Sequence, residues 1–131
     1  MKLLMSWAIT ENGESFGGNH YVRDWGEVWL QLRRLKFCAG SVGLEITDAP
    51  DVAPFNMSVA ADNGNYLVTL LETTEDDSDV RSYSNPTANA EMVEILGNDW
   101  DARHLTSDFE FVCRMVEEFY KTGDVSKQWL N

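Results

Sequence analysis

The chain has 131 residues and a formal net charge of −12. That length makes one domain with a real core, and five Trp and six Phe supply large side chains to fill it. The charge argues against nucleic-acid or anionic-membrane binding, and no segment approaches the roughly 18 continuous apolar residues of a membrane span.

"MKLLMSWAI" carries a Lys and a short apolar run with no small-residue cleavage site after it. It reads as a first strand over 2–9, not as a signal peptide. "TENGESFGGNHY" is rich in Gly, Asn and Ser and reads as loop. A helix follows. Asp24 is placed to cap it, with Glu27 three residues later. Trp25, Val28, Trp29, Leu32 and Leu35 then recur on one face, which assigns both tryptophans to the core. Arg33, Arg34 and Lys36 fall in its last turns and Gly40 marks the stop.

"SVGLEIT" (41–47) is a strand candidate, and "DAPDVAP" a linker whose prolines would disrupt a central strand. The clearest local signal is "FNMSVAADNGNYLVTLLE". Asn63-Gly64 is a turn pair that tolerates positive φ at both positions. Folding there pairs Ala61 with Tyr66, Val59 with Val68 and Met57 with Leu70. One face is then apolar, while the other is mixed because Leu67 and Leu71 interrupt its polar residues.

Alternation is lost at "TTEDDSD", and a short strand resumes at "VRSYS". "EMVEILG" (91–97) is a further strand, and "NDWDARHL" is ambiguous. The last helix opens on a capping box from Ser107 to Glu110. Phe109, Val112, Val116 and Phe119 form its stripe, with Cys113, Met115 and Tyr120 at the margins. Gly123 is its C′ residue, and Trp129 and Leu130 fold back on the body. The pattern is a single α+β domain over 1–131: a mostly antiparallel sheet of five or six strands with two main helices on one face.

Catalytic and metal chemistry find little purchase. An EF-hand count from Asp77 puts Asp79 third but Arg81 fifth, Ser82 sixth and Ala88 twelfth, so no metal and no cofactor is expected. "SFGGN" lacks the Lys-Ser/Thr of a phosphate loop. His20 and His104 are isolated, and Asp99, Asp101 and His104 form the one place where an enzyme cleft is worth testing. Cys38 and Cys113 sit far apart in apolar helical contexts and read as buried, reduced thiols. With no export signal, they point to the cytoplasm.

The acidic stretch "LLETTEDDSDVRSY" carries Glu72, Glu75, Asp76, Asp77 and Asp79 before Arg81. Nine acidic residues and no basic one lie between Lys36 and Arg81. On a hairpin end, that field reads as a surface shaped to meet a basic protein partner. Tyr66, Tyr83 and Trp100 are expected to supply contact area.

"DWGEVWLQLRRL", "ADNGNYLVTL" and "FYKTGDVSKQWLN" together resemble immunity proteins of bacterial polymorphic-toxin and contact-dependent growth inhibition systems, in particular a family encoded beside deaminase or nuclease toxins. The resemblance rests on an early Trp-containing helix, a Gly-turn hairpin and a final helix ending Phe119 to Gly123. It implies a non-enzymatic cytosolic inhibitor of one cognate toxin. Glu72, Glu75, Asp76, Asp77, Asp79 and Tyr83 would form part of the contact, imitating phosphates against a basic active-site surface. The competing readings are a small enzyme around Asp99, Asp101 and His104, or an adaptor subunit of a larger complex.

Overall fold

The computed structural model describes residues 1–131. Two glycine-containing turns set the sheet up. At Asn12-Gly13 (φ 52° and 80°) β1 (Leu3–Glu11) folds back as β2 (Glu14–Tyr21). At Asn63-Gly64 (φ 50° and 79°) β4 (Pro54–Asp62) folds back as β5 (Asn65–Thr73). The second hairpin has the expected register, with Ala61 opposite Tyr66, Val59 opposite Val68 and Met57 opposite Leu70. β3 (Ala39–Ile46) and β6 (Ser78–Ser82) complete an antiparallel path β2-β1-β3-β4-β5-β6. A two-residue β9 (Leu105–Thr106) also pairs with β5, making seven strands in this sheet.

One face of this sheet is apolar. Met5 and Ile9 of β1, Val42 and Leu44 of β3, Met57 and Val59 of β4, and Val68 and Leu70 of β5 alternate inward and are buried. Helices α1 (Trp25–Leu32) and α2 (Phe109–Thr122) cover that face with Val28, Leu32, Val112, Met115, Val116 and Phe119. Phe119 is fully buried, which stabilises the fold by on the order of 2–3 kcal/mol. Leu130 is fully buried too, so the C-terminal tail does fold back on the body. No helix is long and apolar enough to cross a membrane.

Several local expectations are corrected. The stretch 10–21, read as loop, contains a full strand. β2 is an edge strand exposed on nearly every residue, so nothing selects apolar alternation in it. The first helix is α only to Leu32. Arg33, Arg34 and Lys36 belong to a 3₁₀ turn, Arg33–Lys36. Gly40 lies inside β3 and stops no helix. A Cβ there would stand 2.3 Å from the Ala8 carbonyl oxygen, so close approach of β1 requires glycine. The α2 N-cap is Asp108, whose Oδ1 accepts from Phe111 N–H at 3.1 Å, and not Ser107. Met115, placed at the margin of the α2 stripe, is fully buried.

The strand at 91–97 does not join the main sheet. β7 (Met92–Ile95) and β8 (Asn98–Asp101) form a separate hairpin. It explains the interruption of the polar face at Leu67, because Leu67, Ile95 and Leu105 make a second small core with Ala60 and Val93 against it.

The buried charge is Arg81. Opposite Leu70 in the β5–β6 register, it points to the helix-covered side. Nη2 donates to the Val125 carbonyl at 2.6 Å, Nε to the Leu130 carbonyl at 3.2 Å and Nη1 to Asp124 Oδ1 at 2.8 Å. Glu118 Oε1 fastens the same tail by accepting from Ser126 N–H and Oγ–H. Arg81→Ala strands two carbonyls and is expected to cost about 2–4 kcal/mol in urea unfolding. Asp124 is half-exposed but its Oδ1 meets the buried guanidinium and accepts from Val125 N–H at 2.7 Å, so Asp124→Ala should cost about 1–2 kcal/mol, less than Arg81→Ala. Equal losses for the two variants would show that the carbonyl contacts contribute nothing.

Candidate functional site

The acidic stretch forms the tip joining β5 to β6. Thr74 and Asp77 close the turn: Thr74 N–H donates to the Asp77 carbonyl at 2.8 Å, and Asp77 N–H donates to Thr74 Oγ1 at 3.1 Å. Glu75, Asp76, Asp77 and Asp79 are exposed, and none of them forms an ion pair. Asp79 is held locally, accepting from Val80 N–H at 2.9 Å.

The neighbouring β3–β4 loop reaches the same end of the sheet, because Thr73 N–H donates to the Ala53 carbonyl at 2.9 Å. Its Asp48 and Asp51 are exposed there and extend the negative field. Asp48 accepts from Lys2 N–H at 2.7 Å, and this contact holds its carboxyl below the usual range.

Two of the six residues assigned to the contact from the sequence face elsewhere. Glu72 lies opposite Asp79, and like charges so placed repel. Glu72 is relieved by turning toward Arg81 Nη1 at 3.6 Å, so it belongs to the structural clamp. Tyr83 lies beyond the far end of β6, about 13 Å along the strand from Asp79. Its ring meets Phe111 edge-on at 5.6 Å, and Phe111 meets Trp129 at 5.6 Å, so Tyr83 is part of a packed aromatic row. The structure supplies apolar surface at the acidic end that the sequence reading missed: Val80 is 57% exposed and Val52 55%. Val80 was hidden by its place in a charged run, and Val52 by its place in a Pro-flanked linker.

The alternative cleft does not assemble as an acid–base pair. Asp101 caps the turn Ala102–His104 and takes a forked contact from Arg103, with Nη2 to Oδ2 at 2.5 Å. These hydrogen bonds from Arg103 lower the Asp101 pKa to about 2. His104 Nδ1 lies 3.2 Å from the Tyr83 carbonyl oxygen, and Asp99 stands exposed on β8. No group of three or more His, Cys, Asp or Glu is arranged to hold a metal ion. Both cysteines are free and half-buried.

The Asp101–Arg103 contact has a testable sign. A carboxyl held low in the folded state stabilises it above the ordinary value of about 3.9, and that contribution is lost as pH falls toward 2. Arg103→Ala should return the Asp101 titration, followed by carboxyl NMR, to about 3.9. An unchanged midpoint would remove Arg103 as the cause.

The same fold occurs in the crystal structure of a hypothetical protein from Neisseria gonorrhoeae. The TM-score is 0.80 at 16% identity, over 95% of this chain and 90% of that one. At that identity the likeness is one of fold. No curated protein matches the chain. The model of a family of unknown function, DUF6911, matches residues 5–129, and the chain belongs to that family.

Proposed function

We propose that this protein is a non-catalytic cytoplasmic binding protein whose acidic end docks on a basic protein surface. The observation that carries the reading is the β5–β6 tip, where three exposed carboxylates without a paired cation sit on a turn closed by Thr74 and Asp77 and a fourth, Asp79, follows on β6. Asp48 and Asp51 add to the field, and Val52 and Val80 offer apolar contact beside it. A field of this kind speeds encounter with a basic partner and fixes its orientation.

The partner class comes from the resemblance to immunity proteins: a toxin domain whose nucleic-acid-handling surface is basic. Carboxylates spaced along a strand end imitate phosphates for such a surface. Glu75, Asp76, Asp77 and Asp79 make the contact in this reading. Glu72 contributes by holding Arg81, whereas Tyr83, in the aromatic row at the far end of β6, takes no part in the contact.

Two experiments test it, using the C-terminal domain encoded by the reading frame immediately upstream. Co-expression with this protein should restore growth and yield a complex that co-purifies. An Asp76→Lys/Asp77→Lys variant should associate at least about tenfold more slowly at low ionic strength, with the difference shrinking in high salt. Association as fast as wild type at low salt would leave the tip a solvated turn. The enzyme reading is addressed by His104→Ala, which should keep full rescue and co-purification. Loss of rescue by a variant that still folds and still binds would place turnover at His104 instead.

A further inference from the structure

Cations gather at the end of the sheet opposite the acidic tip. There a groove of about 670 Å³ opens between the 3₁₀ turn and the first half of α2. That volume is within the roughly 300–1,000 Å³ range of small-molecule sites. Trp29, Phe37 and Phe109 give it aromatic walls. The Phe109 ring is tilted against Trp29 at 6.1 Å and against Tyr66 at 5.7 Å, so the wall is fixed from behind. Cys38 and Cys113 complete the lining. Burial pushes the Cys113 thiol up to about 11, so it stays neutral and adds soft apolar surface instead of a nucleophile.

The rim has the opposite character to the rest of the molecule. Arg33, Arg34, Lys36 and Arg114 line it, four of the chain's ten basic residues, against Glu11 and Glu110. Four positive and two negative charges leave this groove at +2 in a chain of −12. Two of the cations are occupied. Arg34 pairs with Glu11 at 3.3 Å and stacks over Phe16 at 5.4 Å. The Lys36 ammonium lies over the Phe37 and Phe109 rings at 5.9 and 5.8 Å. Arg33 and Arg114 are exposed and form no ion pair. Phe37 is 85% exposed, the most exposed large apolar side chain of the chain.

Apolar rings in water and unpaired guanidinium groups are both satisfied by one kind of molecule. An apolar body displaces water from the rings, and an anionic head accepts from the guanidinium forks. We propose that this groove binds a small amphipathic anion, with its apolar body on Trp29, Phe37 and Phe109 and its carboxylate or phosphate held by Arg33 and Arg114. The site is separate from the acidic end and stands without the toxin-binding reading.

The test titrates the purified protein with anilinonaphthalene sulfonate and with phenylnaphthylamine, which keeps a similar aromatic body and lacks the sulfonate. Probe emission and tryptophan quenching report binding. One sulfonate should bind per chain, at least about tenfold tighter than the neutral compound. An Arg33→Ala/Arg114→Ala variant should lose that margin and keep its affinity for the neutral compound. Both arginines are exposed, so the variant should fold, which near-UV circular dichroism checks. Displacement by decanoate assigns a carboxylate head and displacement by naphthyl phosphate a phosphate head. Equal affinity for charged and neutral probes, an unchanged double variant, or displacement by neither anion overturns the proposal. Stronger displacement by a carboxylate-rich peptide also overturns it, because the occupant is then a protein segment.

Discussion

Arg81 joins three parts of the chain that are remote in sequence. It stands on β6, its ion-pair partner Glu72 stands on β5, and the groups it donates to lie in the tail after α2. Beside that clamp the tail is held by the buried Leu130 and Val125, by Glu118 at Ser126, and by a hydrogen bond from Asn131 N–H to the Ser82 carbonyl of β6. The acidic tip is the loop between β5 and β6, and this guanidinium ties both strands at its base. A lysine could not serve all these acceptors, because the contact uses three guanidinium nitrogens in a fixed plane.

The division of labour along the acidic stretch follows from strand alternation. Residues at the two ends of the β5–β6 tip alternate between the helix-covered face and the open one. Glu72, Asp79 and Arg81 share the inner face by register; Glu72 turns to Arg81 and is spent on structure, whereas Asp79 and the turn residues stay exposed. A run of five carboxylates in the sequence thus separates into one, Glu72, that meets a buried guanidinium and four that stay exposed. Composition cannot make that separation, because it depends on a register of two strands.

The fold was legible wherever burial imposes a period. The hairpin 57–70 was readable to the residue, since a one-residue slip would expose its whole apolar face. β2 was unreadable for the opposite reason: with both faces in water, its Gly, Asn and Ser look like loop. β7 could be seen as strand, but its pairing with β8 in a hairpin apart from the main sheet could not. The clue was Leu67, an apolar residue on a polar face that needed a cover. Gly40 looked like a helix stop and is a packing requirement set by Ala8, a contact between strands that local sequence does not encode. For the site, the charge was visible and its neighbours were not. Tyr83 follows the run directly in sequence yet packs on Phe111, and the groove draws on segments around 11, 29–38 and 109–114 that no window brings together.

The bare β2 edge has a consequence for how the protein behaves in concentrated solution. It offers a row of unpaired backbone groups to any second strand and has little to block them beyond Glu14 and the two glycines, Gly17 and Gly18. The shared charge of the whole body opposes such pairing, since molecules at −12 repel one another. That protection is colloidal and not built into the strand. Salt shortens its range, and acid removes it as the carboxylates take up protons. Near its isoelectric point, about 4.3, the protein loses that repulsion, and the exposed β2 edge is then open to pairing with a second strand.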